Sequence, residues 1–390
     1  MPKQARSSNQ YDLAIAGGGL VGGLVALALA ELRPDLDIAL IEAEDHFGGN
    51  HIWSFFESDV EPEHRWLVDP LIARQWDSYD VHFPKYSRRL SNGYFSIESA
   101  NLDRELRKRL PAAALKSGQQ ARAVNKRLVK LADGSEVAAR AVLDVRGGGD
   151  VSALEVGWQK FCGQMLRLKK PHGLERPVIM DATVEQIDGY RFIYCLPFSD
   201  SEIFVEDTYY ADTAELDSKT SHARIATYAE DHGWQIETVL SEEKGQLPVI
   251  YGGDFEAFWQ ANRSVDARAG ARAALIQPIT SYSLPMAVKT AILIAEMPEI
   301  SQAKLDKMLR NLAQNHWKNG KFYRMLCAFL FLGADPDKRY KTLEHTYSKD
   351  EKLLARFYAG KSTLLDQANL LTGKPPIPVS RAIPLLLKYK

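Results

Sequence analysis

Cysteine is scarce in this chain. Cys162, Cys195 and Cys327 are three thiols in 390 residues, spaced too widely for a metal-ligand pattern, so reduced structural cysteines are expected. Charge of one sign is lacking as well. Forty-nine Lys and Arg stand against 50 Asp and Glu, which removes the electrostatic footprint of nucleic-acid binding and means that an apolar or membrane partner must be engaged locally. The nine histidines include no H-E-x-x-H and no paired His/Cys arrangement, so no metal site is expected. Residues 1–10 are polar and carry no signal-peptide apolar region. Beyond residues 13–30 no run of 18 residues is free of charge, so the chain is expected to stay in the cytosol. There is no internal repeat and no low-complexity segment. With 45% hydrophobic residues, 390 residues can bury two cores, as two domains or one domain with a large insertion.

What the chain does have is glycine at a telling spacing. A short apolar run, residues 13–16, stops at Gly17, Gly19 and Gly22 in the G-x-G-x-x-G pattern, and an Ala/Leu-rich helical pattern follows to residue 31. Strand, turn and helix in that order suit a dinucleotide. Gly17 permits the tight turn, Gly19 lets backbone approach a pyrophosphate, Gly22 lets helix and strand pack closely, and the helix N-terminus offers free N–H groups. Residues 38–41 form the second expected strand, ending in Glu42, whose carboxylate can accept from ribose hydroxyls. The 18 uncharged residues 13–30 are long enough to span a bilayer, but five glycines and the prompt return to a strand argue against that.

Farther along, Phe47 to Phe56 is an aromatic cluster behind a glycine pair: either a loop running from the cofactor edge into a ring-lined pocket, or a buried aromatic corner. Residues 71–90 alternate as a strand, residues 101–110 suit a helix with Asn101 as N-cap, and residues 121–131 and 137–145 form strands joined at Asp133-Gly134. The second of these runs into Arg146-Gly147-Gly148-Gly149, a second glycine cluster that suits flavin folds. A hairpin is expected from residues 189–197 and 201–210. On its second strand Phe204, Glu206 and Thr208 share one face, with Val205 and Asp207 on the other. Two acids in so apolar a strand are costly unless partnered or protonated, so they mark either a functional site or a solvated edge strand. Residues 220–231 suit a helix, 242–253 a strand, and 286–297 a helix entered through Gln277 to Pro285. The last hundred residues are expected to be helical. Within them residues 325–332, preceded by Lys318, Lys321 and Arg324, suit either a membrane-surface contact or a core helix.

Taken together these motifs resemble the bacterial lycopene β-cyclases, flavoproteins that close the end rings of carotenoids. The resemblance rests on Gly17 to Gly22 with Glu42, Asn50-His51-x-Trp53-Ser54-Phe55, Asp144-x-Arg146-Gly147, Met180 to Val184, Asp188 to Phe192 with Pro197-Phe198, and Glu206-Asp207-Thr208. It continues through Tyr282-Ser283-Leu284-Pro285, Phe322-Tyr323-Arg324, Arg356 to Gly360 and Gly373-Lys374-Pro375-Pro376. It implies an α/β fold: a Rossmann-type FAD-binding domain of the glutathione-reductase/hydroxybenzoate-hydroxylase type, with an inserted β-rich substrate domain and a helical C-terminal region. The implied boundaries are 1–60, 90–155 and 265–300 for the first, 61–89 and 156–264 for the second, and 301–390 for the third.

The resemblance also implies reduced FAD, with NAD(P)H as reductant, held by Gly17, Gly19, Gly22, Glu42, Arg146, Gly147, Pro278 and Ser281. It implies an intramolecular lyase acting on lycopene or a related acyclic carotenoid drawn from the membrane, with no net redox change, and a cytoplasmic protein peripherally associated with the inner membrane. Glu206 and Asp207 are its expected catalytic carboxyls, with Trp53, Phe55, Tyr190, Phe192 and Tyr194 around the substrate. No metal and no nucleic acid are implied, and no oligomeric state. The chain departs from the family at Gln277-Pro278-Ile279-Thr280-Ser281, where His-Pro-Thr-Thr-Gly is expected; Ser281 places a Cβ where glycine would admit the flavin ring closely. Two rival functions are another flavoenzyme of this fold, using the flavin for hydride or oxygen chemistry, and a non-catalytic carrier of prenyl chains.

Overall fold

The computed structural model describes residues 10–373 and 377–389; the polar residues 1–9 and the Lys374-Pro375-Pro376 part of the last motif lie outside the described residues. Apolar runs buried on both faces build a parallel sheet that needs cover above and below. Its centre is Gln10–Ala16, flanked by the parallel strands Ile38–Ile41 and Glu136–Asp144. Leu115–Lys116 extends one side, and the antiparallel Leu128–Leu131 and Ala121–Asn125 extend the other. Helices Leu20–Leu32 and Leu284–Ala295 pack on each other and share one continuous core with this sheet.

The second sheet has seven strands in the order Ile236–Gly253, Leu154–Leu168, Glu202–Ala211, Tyr190–Pro197, Val178–Asp181, Tyr79–Phe83 and Tyr86–Leu90. Only Val178–Asp181 and Tyr79–Phe83 pair in parallel. Because side chains alternate along each strand, this sheet has two distinct faces. One is aromatic and packs with the C-terminal helices; Tyr190, Phe192, Phe204, Tyr210, Phe331, Tyr347 and Tyr358 belong to a single buried cluster there. The other is covered by helix Ser218–Asp231, capped by Asp217, with Ile225 and Tyr228 against Ile203 and Val205.

A small sheet of Ile52–Phe56, Tyr94–Glu98 and Ile72–Trp76 sits between the two cores. Its alternation divides the labour. Trp53 and Phe55 point into the core of the first sheet, and Ile52 and Phe56 into the aromatic core of the second.

Several boundaries differ from the sequence expectation for local reasons. The strand expected over 71–90 is three strands, broken at Asp77-Ser78 and at Pro84-Lys85, where proline cannot supply a ladder N–H. The helix expected from Asn101 starts at Ser99 instead, and Asn101 is turned inward to donate to the Leu71 carbonyl at 2.9 Å. The strand expected from Glu242 begins at Ile236, because the full length of Leu154–Leu168 is available to pair with it. Residues 325–332 are largely core: Met325, Leu330 and Phe331 are buried and Leu332 alone is exposed. Arg324 is buried too, its guanidinium 3.9 Å from the centre of the Trp317 ring. No described helix is long and apolar enough to cross a membrane.

Candidate active site

The two ends of the candidate site have different origins. At the first, backbone geometry does the shaping. Gly17 adopts φ +112°, and a Cβ at Gly22 would fall 1.9 Å from the Gly17 carbonyl oxygen, so helix and turn can touch only if position 22 is glycine. Nothing lies within 4 Å of the Cβ position at Gly19, which leaves the turn open at that point. Glu42, at the end of the second strand, accepts from Gly18 N at 2.7 Å and so ties that strand end to the turn. Gly147 and Gly148 are left-handed with open space at their Cβ positions. These are the features of a cradle for a dinucleotide, and the residues fit FAD.

Arg146 is not part of that open surface. Its guanidinium is paired with Asp144 at 2.8 Å and donates to the Ala121 carbonyl, so it anchors the strand end while the glycines after it face space. Pro278 and Ser281 lie in a tight turn. Gln277 Oε1 accepts from Ile279 N at 2.5 Å and Thr280 N at 3.0 Å, while Ser281 sits at φ +53° with its hydroxyl on the Pro248 carbonyl at 2.7 Å. The serine thus occupies a conformation that glycine takes without strain.

At the other end, cross-strand pairing does the shaping. Tyr194 lies opposite Glu206, and Gly163 lies opposite Glu206 on the far side, so the three share one face. Phe192 pairs with Thr208 and Tyr190 with Tyr210 on the same face, stacked at 5.1 Å between Tyr190 and Phe192. Glu206 lies deep in the protein and is half-buried, its Oε1 accepting the Thr208 hydroxyl at 2.6 Å. Burial and the nearby Glu243 carboxylate push the Glu206 carboxyl up to about 8, against a partial pull downward from Thr208. Tyr94 and Ser54 close the site from the small sheet, and Tyr194 Oη on the seven-stranded sheet lies 2.8 Å from both the Tyr94 hydroxyl and Ser54 Oγ.

The structure therefore brings Tyr190, Phe192 and Tyr194 to the Glu206 face but turns Trp53 and Phe55 away from it. Phe55 is fully buried, stacked on Phe95 at 5.1 Å with Arg65 beside both rings. The residue that the same strand presents instead is Ser54, as the two-residue period requires. Asp207 is also turned away. It is fully buried on the opposite face, paired with Arg191 at 2.6 Å and with the Tyr209 hydroxyl, to which Arg224 donates in turn. A carboxylate so neutralised is part of the sheet's packing, and the acidic neighbour that matters most to Glu206 is Glu243.

Sequence reasoning put Thr208 on the face of Glu206 but missed Glu243, Ser54 and Tyr94 as its neighbours. It also missed Asp59, a buried carboxyl that accepts from Phe56 N and the Tyr282 hydroxyl, each at 2.8 Å, while its other oxygen has no partner among the described residues. Burial pushes Asp59 up to about 6. It lines a groove of about 510 Å³ with Tyr282, Pro278, Tyr323 and Tyr358.

A family model described as lycopene cyclase protein matches residues 12–383. A lycopene β-cyclase of Pantoea ananas is 43% identical over 378 residues, covering 97% of this chain and 98% of that protein. A lycopene β-cyclase of Pseudescherichia vulneris is 41% identical over 372 residues, covering 95% and 96%. Among solved structures, Klebsiella pneumoniae HpxO in complex with FAD and uric acid matches with a TM-score of 0.59 at 13% identity, over 90% of this chain and 96% of that one. That likeness shows the fold, a mixed α/β architecture with a β-rich second layer.

Proposed function

This chain belongs to the lycopene cyclase family, and from that premise we propose that it is a lycopene β-cyclase in which Glu206 is the acid that starts ring closure. The observation that carries the reading is a half-buried carboxyl on an aromatic face, held protonated at neutral pH by burial and a like charge. Cyclisation of an acyclic end group needs a proton on its terminal double bond, bond closure through a tertiary cation, and loss of a ring proton; atoms and electrons balance with no net redox change. Glu206 suits the first step because Thr208 occupies Oε1 and leaves Oε2 to carry the proton. Water would quench the cation, so the site must be dry. Tyr190, Phe192 and Phe204 fill the surrounding face, and their ring faces favour a passing positive charge. After transfer, the Glu206 carboxylate is placed to take the departing ring proton back.

FAD fits the glycine turn: Gly17, Gly19 and Gly22 would take the pyrophosphate, Glu42 the ribose, and Gly147 with the Pro278–Ser281 turn the rest of the cofactor. When bound and reduced by NAD(P)H, its electron-rich ring system would stabilise positive charge nearby. The division of the chain into a discontinuous FAD domain (1–60, 90–155, 265–300), a substrate domain (61–89, 156–264) and a helical region (301–390) belongs to this proposal.

The substrate is a membrane solute, and the reading includes a peripheral contact with the inner membrane. Its support is the C-terminal helices rather than residues 325–332. Leu364 and Leu387 are 84% and 77% exposed, and Leu365, Leu371, Val379 and Ile383 are exposed beside them. An apolar cavity of about 270 Å³ lies beneath, lined by Leu343, Leu370, Ile383 and Leu386. From Asp335 to Lys390 the chain carries 11 Lys and Arg against 6 Asp and Glu, the sign that suits an anionic bilayer.

Pigment analysis of lycopene-accumulating cells expressing this chain tests the reading. Cyclic carotenoids that vanish with Glu206→Gln support it. Unchanged lycopene from the folded wild type, or oxygen consumed in proportion to product, refutes it.

A further inference from the structure

Glu243 is a buried acid on the edge strand Ile236–Gly253, and two groups from outside the seven-stranded sheet hold it. His51 Nδ1 lies 2.8 Å from its Oε1, and Ile52 N donates to its Oε2 at 3.0 Å; Asn50 Nδ2 donates to the adjoining Glu242 carbonyl. The same loop is fastened to the first glycine turn through Gly48 N and the Gly18 carbonyl at 2.9 Å. A buried carboxylate needs such donors, and these fix both of its oxygens.

The register then decides what the fixed charge faces. Gly163 pairs with Glu206 on one side and with Glu243 on the other, so the three positions lie in one row on one face, with roughly 10 Å between the outer backbones. The middle position carries no side chain of its own; the space where its Cβ would lie is taken by the Phe204 ring, which is apolar and does not screen charge. The other groups around Glu206 do not neutralise it. Tyr194 comes from the strand on the other side, with its hydroxyl engaged by Tyr94 and Ser54, and Thr208 donates from its own strand. Asp207 and Cys162 point to the opposite face, and among the described residues no cation pairs with Glu206.

We infer that Glu243 is a positioning residue whose loop-held carboxylate keeps the proton on Glu206, so that the Asn50–Ile52 segment sets the pH range in which the acid is loaded. The inference rests on the reading of Glu206 as the acid. It assigns Glu243 no contact with substrate.

The test is the pH dependence of β-ring formation from lycopene in liposomes by the FAD-loaded full chain, for wild type, Glu243→Gln and Glu243→Asp. Removing a like charge lowers the pH at which Glu206 loses its proton. The alkaline limb for Glu243→Gln is expected to move about one unit toward acid, cutting the rate near pH 8 by roughly fivefold, with a far smaller loss near pH 6. Glu243→Asp restores most of the limb. If Glu243→Gln fails to fold, His51→Ala, which loosens the same carboxylate, is expected to give a smaller shift of the same sign. A limb that stays in place, with activity lowered equally at every pH, overturns the inference. That outcome is distinct from failure of the reading itself, in which wild type makes no rings or Glu206→Gln keeps its rate.

Discussion

Glu206 and Asp207 are neighbours in the chain and opposites in chemistry. Both lie on Glu202–Ala211, Asp207 fully buried and Glu206 half-buried, yet they belong to different faces of one sheet. On the helix-covered face Asp207 meets Arg191 and Tyr209 and is neutralised on the spot. On the aromatic face Glu206 meets a hydroxyl, rings and a second carboxylate; burial raises both carboxyls, but only Asp207 has a cation beside it to oppose the rise. An acid-acid pair in a sequence therefore carries two separate meanings when it falls in a strand. Which residue is available for chemistry depends on what the neighbouring strands place opposite each.

This contrast breaks cleanly under mutation. The largest effect is expected for Glu206→Gln, which keeps shape and removes the transferable proton: ring formation falls by about 10²-fold or more, measured with lycopene in liposomes, while the unfolding midpoint holds or rises. Asp207→Asn should do the reverse. Breaking a buried pair costs about 3–5 kcal/mol in unfolding free energy, because Arg191 is left uncompensated, yet the folded fraction still forms rings. Equal loss of chemistry in both variants, at equal stability, would erase the distinction between the faces.

Asp59 sharpens the contrast as a buried acid with no ion-pair partner among the described residues, the charge of Lys361 only partly offsetting its burial. Its carboxyl is raised from 3.8 to about 6, so the folded protein holds that proton to higher pH than the unfolded chain does. The associated stability is complete below about pH 4 and is lost as pH rises through 6; the difference is on the order of 3 kcal/mol. Denaturant unfolding of Asp59→Asn should match wild type near pH 4 relative to its own plateau, and should lack the decline between pH 4 and 7. The smallest effect is expected at Ser281, where left-handed strain and the bond to Pro248 oppose each other. Ser281→Gly should stay within about 0.5 kcal/mol of wild type, and Ser281→Ala, which keeps the strain and loses the bond, should cost about 1 kcal/mol.

The two halves of the site were unequally legible in the sequence. The glycine turn could be read in detail because its constraints are local: Gly17 needs a positive φ, and Gly22 touches a residue five positions away. The face of Glu206 could be read as well, since alternation alone separates it from Asp207. The same rule, applied to residues 52–56, separates Ser54 from Trp53 and Phe55, and there the chain's aromatic density drew attention to the wrong face. What surrounds Glu206 was not legible, because Glu243 reaches it only across Leu154–Leu168, a register that no local pattern specifies. Arg146 shows a related limit: a motif marks the position, but its side chain serves the strand end beneath the glycines. The exposed leucines of the C-terminal helices left a sequence signal in Val379, Ile383 and Leu387 at four-residue spacing, a stripe with no partner in the described fold.

All of this depends on a neutral Glu206 at physiological pH. Infrared titration of wild type against Glu206→Gln measures it directly, through the protonated-carboxyl band present in one and missing from the other. The account predicts a difference band that persists at pH 7 and disappears around pH 8. A band lost near the ordinary glutamate value of 4.5 would contradict it.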